Sequence, residues 1–319
     1  MRRCIQLARG GMQNAKPNPM VGAVIVDKAG RIIGEGYHVC CGQGHAEVNA
    51  FASVRQKDEA LLPESTIYVS LEPCSHYGKT PPCADLIIRK GVRRVVCGCI
   101  DPFAKVQGRG IKKLRDAGIE VTVGVLEREC IELNKRFMTY NTLRRPYVTL
   151  KWAQSADGMM GLRGQKTTIS SPFTQMLMHK MRAESDAILI GHTTLTVDSP
   201  RLTVRKWSGN DPERIVLGRV SQKEIPDGFV AFDNIEAALR HLYAEKKQSL
   251  MVEGGATTLQ SFLDSGQWDE IRVETASFCL GDGIRAPQLP RNLRLVKAEH
   301  YDGRTIMTYE RIGRLRTVE

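Results

Sequence analysis

His45 and Glu47 stand two positions apart, and Cys74 and Cys83 follow with eight residues between them. One imidazole and two thiolates give a zinc ion three ligands and leave its fourth tetrahedral position open. That count belongs to a catalytic site, whereas a structural site closes with a fourth side chain. Water taking the open position has its pKa lowered toward neutrality. Glu47, placed just beyond the histidine and not itself a ligand, is positioned to carry protons. The four residues together predict hydrolytic displacement of an amino group from a nucleobase carbon. The competing reading is a closed structural site, with a fourth ligand drawn from Cys40, Cys41 or His76.

The whole chain of 319 residues suits two domains of about 150 residues each. Hydrophobic and charged contents of 42% and 25% are those of a soluble globular protein. No apolar run approaches the roughly 18 residues that cross a bilayer. Met1-Arg2-Arg3 leads into an amphipathic segment, not a signal-peptide core, so no membrane partner and a cytoplasmic location are expected. Nine cysteines, clustered at 40–41, 74–83 and 97–99, read as metal ligands and buried thiols in a reducing compartment. A net charge of +11 serves either a nucleic-acid backbone or small phosphorylated ligands and a dinucleotide. Without a long basic block, and with aromatics at 6%, small phosphates fit better than nucleic acid. A zinc-bearing nucleic-acid-binding or editing protein is the alternative.

These residues need elements to hold them. Residues 2–13 read as a helix with Cys4, Ile5 and Ala8 on one face. The prolines of Lys16-Pro17-Asn18-Pro19 stiffen the next loop and present Asn18. Strands are expected at 21–27 and 31–37 around a Lys28-Ala29-Gly30 turn. A helix then runs from His45 to about Gln56, with Glu47 in its electropositive first turn. A strand at 66–71 leads to Cys74, and Cys83 precedes a helix at 84–89. Strands at 93–99 and 119–125 and helices at 110–117 and 127–140 complete a three-layer α/β unit on a mixed sheet.

Arg144-Arg145-Pro146 reads as the linker between domains at 1–143 and 147–319. Beyond it, strands are expected at 147–153, 187–191, 214–217, 229–232, 249–252 and 270–275. Helices are expected from Ser171-Pro172 to Arg182, at 235–246 and at 257–263. Val252-Glu253-Gly254-Gly255 ends a strand and opens a helix, where glycines let a phosphate approach backbone N–H groups. No G-x-G-x-x-G follows a strand, so a Rossmann unit is not supported.

Over nearly its whole length the chain resembles the bifunctional deaminase–reductases of riboflavin biosynthesis. In the first half the resemblance rests on Pro17-Asn18-Pro19-Met20-Val21-Gly22, His45-Ala46-Glu47, and the run from Leu71-Glu72-Pro73-Cys74 through His76 and Lys79 to Cys83. In the second half it rests on Leu150-Lys151, Ser155, Asp157-Gly158, the stretch Leu195 to Arg205, and Val252 to Gly255. The resemblance implies a cytidine-deaminase-like first domain, a dihydrofolate-reductase-like second domain, and the cofactors Zn2+ and NADPH. It implies two reactions on a small phosphorylated pyrimidine. The first is deamination of 2,5-diamino-6-ribosylamino-4(3H)-pyrimidinone 5′-phosphate, and the second reduces its ribosyl group to ribityl. A homodimer or larger homo-oligomer is expected.

Residue by residue, the resemblance assigns zinc to His45, Cys74 and Cys83, proton transfer to Glu47, and deaminase substrate contact to Asn18, His76, Lys79 and Asp101. It places Ala153, Thr168, Thr194 and Asp198 near NADPH, with Gly255, Ala256, Thr257, Thr258, Leu259, Gln260 and Ser261. Lys166, Arg182, Leu202, Arg205 and Glu253 would meet the reductase substrate, Arg182 and Arg205 as a phosphate clamp. Two positions depart from the family pattern: Phe103, where Asn is usual, and Gln165-Lys166-Thr167-Thr168, where Glu-Ser-x-Trp is usual. The second departure leaves open a second domain that serves only oligomerisation.

Overall fold

A computed structural model describes residues 1–77, 81–103, 106–221 and 225–312. Lys79 lies outside them. The chain forms two compact units, Met1–Leu143 and the part from Arg144 onward.

The first unit is built on β1 (Gly22–Val26), β2 (Ile32–Tyr37), β3 (Thr66–Val69), β4 (Arg94–Cys97) and β5 (Glu120–Val123), in the order β2-β1-β3-β4-β5. β1 pairs antiparallel with β2 and β3, while β3, β4 and β5 run parallel, so the sheet is mixed as expected. Its helices are α1 (Arg2–Ala8), α2 (Ala46–Ala52), α3 (Cys83–Lys90), α4 (Arg109–Asp116), α5 (Glu127–Leu133) and α6 (Lys135–Leu143). Helix α2 lies almost on the backbone of β2. A Cβ at Gly36 would stand 2.3 Å from Ala50 N and 2.7 Å from Ala46 O, and one at Gly34 would stand 2.5 Å from Ala50 O. Two glycines on one strand face therefore set the depth of the helix that carries Glu47.

Three helices differ from expectation. The helix expected over 2–13 ends at Ala8, and a 3₁₀ turn follows over Arg9–Gly11. The helix expected to reach Gln56 ends at Ala52, and a 3₁₀ helix follows over Gln56–Glu64. The helix expected over 127–140 divides at Asn134. The buried Asn134 side chain accepts from Met20 N–H and donates to Met20 O, each at 2.8 Å. Satisfying both backbone groups of the Pro19-Met20 loop offsets the lost helical geometry.

In the second unit the strands are β6 (Tyr147–Gln154), β7 (Met159–Gly161), β8 (Ala187–Gly191), β9 (Glu213–Leu217), β10 (Phe229–Phe232), β11 (Ser249–Val252), β12 (Glu270–Ala276), β13 (Ile284–Arg285), β14 (Leu293–Tyr301) and β15 (Arg304–Arg311). Eight of them form one sheet, ordered β10-β9-β8-β11-β6-β12-β15-β14, and β13 pairs with β7. Its helices are α7 (Pro172–Glu184), α8 (His192–Asp198), α9 (Ile235–Ala244) and α10 (Ala256–Ser265). Ser171 caps α7 by accepting Thr174 N–H, as the Ser-Pro pair predicts.

Ala187 and Leu189 of β8 pack with Trp152, Phe262 and Trp268, whereas Ile188 and Ile190 pack with Val216 and Met251. Burial on both faces accounts for the unbroken apolar run Ala-Ile-Leu-Ile. The antiparallel pair β14–β15 is not anticipated by the sequence reading. Most of β14 is exposed and carries Arg294, Lys297 and Glu299, which blur the period of two.

Candidate active site

Cys74 follows the Leu71-Glu72-Pro73 turn beyond β3, Cys83 opens α3, and His45 is the N-cap of α2. These three origins converge. His45 Nδ1 lies 3.5 Å from Cys74 Sγ and 3.3 Å from Cys83 Sγ, and the three atoms all lie within 4.8 Å of one another. Zinc–sulfur and zinc–nitrogen bonds of about 2.3 and 2.0 Å at tetrahedral angles separate ligand atoms by roughly 3.5–3.8 Å, so this donor set fits the ion. Among the described residues no fourth His, Cys or carboxylate joins the group. Cys40, offered by the structural-zinc reading, points its thiol at Cys41 O instead.

The electrostatics suit a cation. Cys74 is held down to about 4 by hydrogen bonds from the Cys83 thiol and His45, with the Cys83 N–H reaching its sulfur at 3.3 Å. The Cys83 thiol is pushed up by that shared proton, by burial and by Glu47. Metal binding therefore releases protons from this cluster. Glu47, 3% exposed in the first turn of α2, is raised to about 7, chiefly by burial and then by the Cys74 charge.

Asn18 and His38 form a unit that the sequence reading half missed. The His38 ring is 2% exposed, with Nδ1 3.2 Å from Gly44 O and Nε2 3.1 Å from Asn18 Nδ2. A carbonyl partner makes Nδ1 the donor, so Nε2 accepts from the Asn18 amide. Burial lowers the His38 pKa. His38 also stands edge-on to His45, with centroids 5.3 Å apart. The signal available in the sequence was Gly34-x-Gly36 on the strand facing α2, with His38 following directly after its end.

Asp101 is 7% exposed and raised to about 7, first by burial and then by Glu72 and Cys74. Its Oδ1 accepts Phe103 N–H at 2.8 Å. His76 lies edge-on to Phe103 at 6.1 Å, and its buried Nδ1 has no partner among the described residues.

In the second unit, β8 and β11 are parallel neighbours whose ends lead into α8 and α10. Gly255 caps α10, and Gly254 has φ +124, a conformation suited to glycine. A Cβ on Gly255 would stand 3.1 Å from Thr194 Oγ1, and one on Gly191 2.2 Å from Thr258 Oγ1. Thr194, Gly255 and Thr258 are thus brought together at a helix start whose first N–H groups lack intrahelical acceptors. This cradle fits a dinucleotide pyrophosphate. Ala256 and Thr257 open the same turn. Leu259 faces the core instead, Gln260 binds Asp264 and Gln288 N–H, and Ser261 donates to Thr257 O.

The expected substrate arginines differ in environment. Arg182, in the last turn of α7, is 6% exposed; Nη2 meets Glu253 Oε2 at 2.6 Å, Nε meets Oε1 at 3.2 Å, and Nη1 donates to Thr203 O. Arg205 is exposed, donates to Thr203 Oγ1 at 2.8 Å, and is tied by its backbone N–H to His179 Nδ1. Leu202 is buried with φ +54. Lys166, Thr168 and Asp198 are exposed, Asp198 as the last residue of α8, and Ala153 lies within β6.

Residues 1–99 match the family described as the cytidine and deoxycytidylate deaminase zinc-binding region, and residues 146–307 match the RibD C-terminal domain. The riboflavin biosynthesis protein RibD of Aquifex aeolicus is 39% identical over 317 residues, covering 89% of this chain and 88% of that protein. The RibD of Bacillus amyloliquefaciens is 35% identical, covering 91% and 86%. Among solved structures, a diaminohydroxyphosphoribosylaminopyrimidine deaminase/5-amino-6-(5-phosphoribosylamino)uracil reductase from Thermotoga maritima aligns with a TM-score of 0.87 at 36% identity, covering 98% of this chain and 97% of that one. RibD of Acinetobacter baumannii aligns with a TM-score of 0.87 at 30% identity, covering 97% of both chains.

Proposed function

Because this chain belongs to the family of RibD riboflavin biosynthesis proteins, we propose that it carries out both of that family's reactions on one phosphorylated pyrimidine. The first unit is a zinc-dependent deaminase of cytidine-deaminase-like fold, and the second an NADPH-dependent reductase of dihydrofolate-reductase-like fold. The deaminase takes 2,5-diamino-6-ribosylamino-4(3H)-pyrimidinone 5′-phosphate, and the reductase converts the ribosyl group of the product to ribityl. One observation carries the reading: three ligand atoms within 4.8 Å of one another, with the buried Glu47 interacting with Cys83 among them.

His45 Nδ1, Cys74 Sγ and Cys83 Sγ would hold zinc, which supplies Lewis acidity and an activated water when bound. Glu47 takes a proton from the attacking water and delivers it to the departing amine; its burial keeps that proton away from bulk solvent. Asn18, its amide nitrogen engaged by His38, presents its carbonyl oxygen to a donor on the pyrimidine. Asp101 and His76 flank the same ring.

In the second unit NADPH supplies the hydride, and the chain supplies position. The start of α10 holds the pyrophosphate. Arg205 holds the substrate phosphate, while Arg182, occupied by Glu253, braces Thr203 beneath it. The proposal includes a homo-oligomer, dimer or larger, and a cytoplasmic location. Nine cysteines without a disulfide support the reducing compartment, and among the described residues no helix is long and apolar enough to cross a membrane.

The test supplies the diaminopyrimidine phosphate to the whole chain. Ammonia release should require zinc, and NADPH oxidation should follow it. Supplying deaminated product directly should give NADPH oxidation even after zinc is chelated. No NADPH oxidation there would reduce the second unit to an assembly module. Light scattering should return a mass at least twice 35.6 kDa.

A further inference from the structure

Glu72 is an acid 4% exposed, and among the described residues its hydrogen bonds come from backbone N–H groups. Oε2 accepts from Gly108 at 2.8 Å and Asp101 at 3.3 Å; Oε1 accepts from Gly110 at 2.9 Å and Ile111 at 3.3 Å. Three of these donors belong to the cap and first turn of α4, where the helix dipole favours an anion. The fourth is the backbone of Asp101. The main-chain N–H of Glu72 is itself fixed to Cys99 O at 3.0 Å.

Between Glu72 and the ligand Cys74 lies only Pro73, whose ring fixes φ. Pro73 O is pressed against α4, since a Cβ on Gly110 would stand 2.0 Å from it. Gly108 caps the helix at φ +76. The Gly108-Arg109-Gly110 motif is thereby explained: its first glycine permits the turn, and its second permits the contact with the Cys74 loop.

We propose that Glu72 is a positioning residue that sets Cys74 and Asp101 at one fixed separation by anchoring both to the start of α4. The inference rests on the zinc-deaminase reading of this unit. A carboxylate offers two oxygens with about four lone-pair sites, enough for four N–H donors. An amide in its place turns an NH2 group toward two of those donors. The Cys74 loop and the Asp101 turn then lose their common anchor, and the metal site loses its geometry with them. Partners that orient a ligand typically govern metal affinity by 10–100-fold.

The experiment uses the whole chain, wild type, Glu72→Gln and Gly110→Ala, loaded with zinc or with cobalt(II) as the spectroscopic probe. In Glu72→Gln the expected results are at least about tenfold weaker zinc binding, shifted cobalt ligand-field bands, a lower deaminase kcat and a higher KM. Reductase turnover on deaminated substrate, measured on the same molecules, stays at the wild-type rate and reports an intact chain. Gly110→Ala keeps the carboxylate but sets a methyl 2.0 Å from Pro73 O and 3.3 Å from Glu72 Oε1, pressing on both the Cys74 loop and its anchor, and should shift the same bands. Wild-type zinc affinity and unshifted bands in Glu72→Gln overturn the proposal. If Glu72→Gln melts the first unit, Gly110→Ala decides: unshifted bands there overturn the proposal, and shifted bands sustain it. A wild-type chain that binds no zinc would overturn the deaminase reading itself, and this inference with it.

Discussion

Arg182 and Glu253 are locked side by side, Nη2 on Oε2 at 2.6 Å and Nε on Oε1 at 3.2 Å, with side chains 7% and 9% exposed. A guanidinium so committed contributes little direct grip on a phosphate. Arg205 is the exposed member of the expected clamp. The two should therefore separate in their effects. Arg182→Ala leaves a buried carboxylate without its partner and should destabilise the second unit by about 3–5 kcal/mol. Arg205→Ala should leave its melting almost unchanged and weaken substrate binding by about 1.5–3 kcal/mol, with NADPH affinity preserved. Calorimetry and substrate titration separate the two, and an Arg205 variant that lost NADPH instead would place that arginine at the cofactor.

Glu47→Gln should retain zinc at wild-type stoichiometry, because Glu47 is not among the three converging ligands. Deaminase turnover should fall by about 10²–10⁴, the usual contribution of a positioned proton carrier. Metal analysis alongside ammonia release makes the measurement. Substantial turnover in this variant is incompatible with the assigned role.

Gly36→Ala tests the support beneath that glutamate. The new methyl would stand 2.3 Å from Ala50 N and 2.6 Å from Asn49 C, backbone atoms that yield only if α2 moves. Overpacking of this kind costs about 1–3 kcal/mol, and zinc affinity should fall with stability because His45 caps the displaced helix. An unchanged melting temperature would show that α2 does not press on β2.

Asp101 sets a pH dependence. Its folded-state pKa of about 7 lies above the unfolded value of about 3.9, so the folded chain binds this proton more tightly. The stability contributed by this group is fully present below about pH 4 and is lost as pH rises to about 7. Asp101→Asn keeps an acceptor for Phe103 N–H and removes the titration. Melting temperatures at pH 5 and pH 8 should show the variant gaining on wild type at the higher pH. An equal difference at both would mean that Asp101 is not held protonated by the fold.

His45, Glu47, Cys74 and Cys83 were legible in the sequence because zinc coordination depends on residue type and on ligand count. The strand-to-helix step at Val252–Gly255 was legible because backbone propensity and glycine are local properties, and the mixed sheet followed from the alternation of local patterns. What only the tertiary structure decided lies in contacts between distant residues. The Arg182–Glu253 pair spans 71 positions, the Asn134–Met20 exchange 114, and the Glu72 donors 29 to 39. Sequence places an arginine near a phosphate-binding function, but the buried acid beside it determines whether its charge remains available. A helix pattern through Asn134 is locally sound, yet two unsatisfied main-chain groups of a distant loop outweigh it. Propensity acts within a few residues, whereas desolvation and hydrogen-bond satisfaction act on whatever the fold brings together.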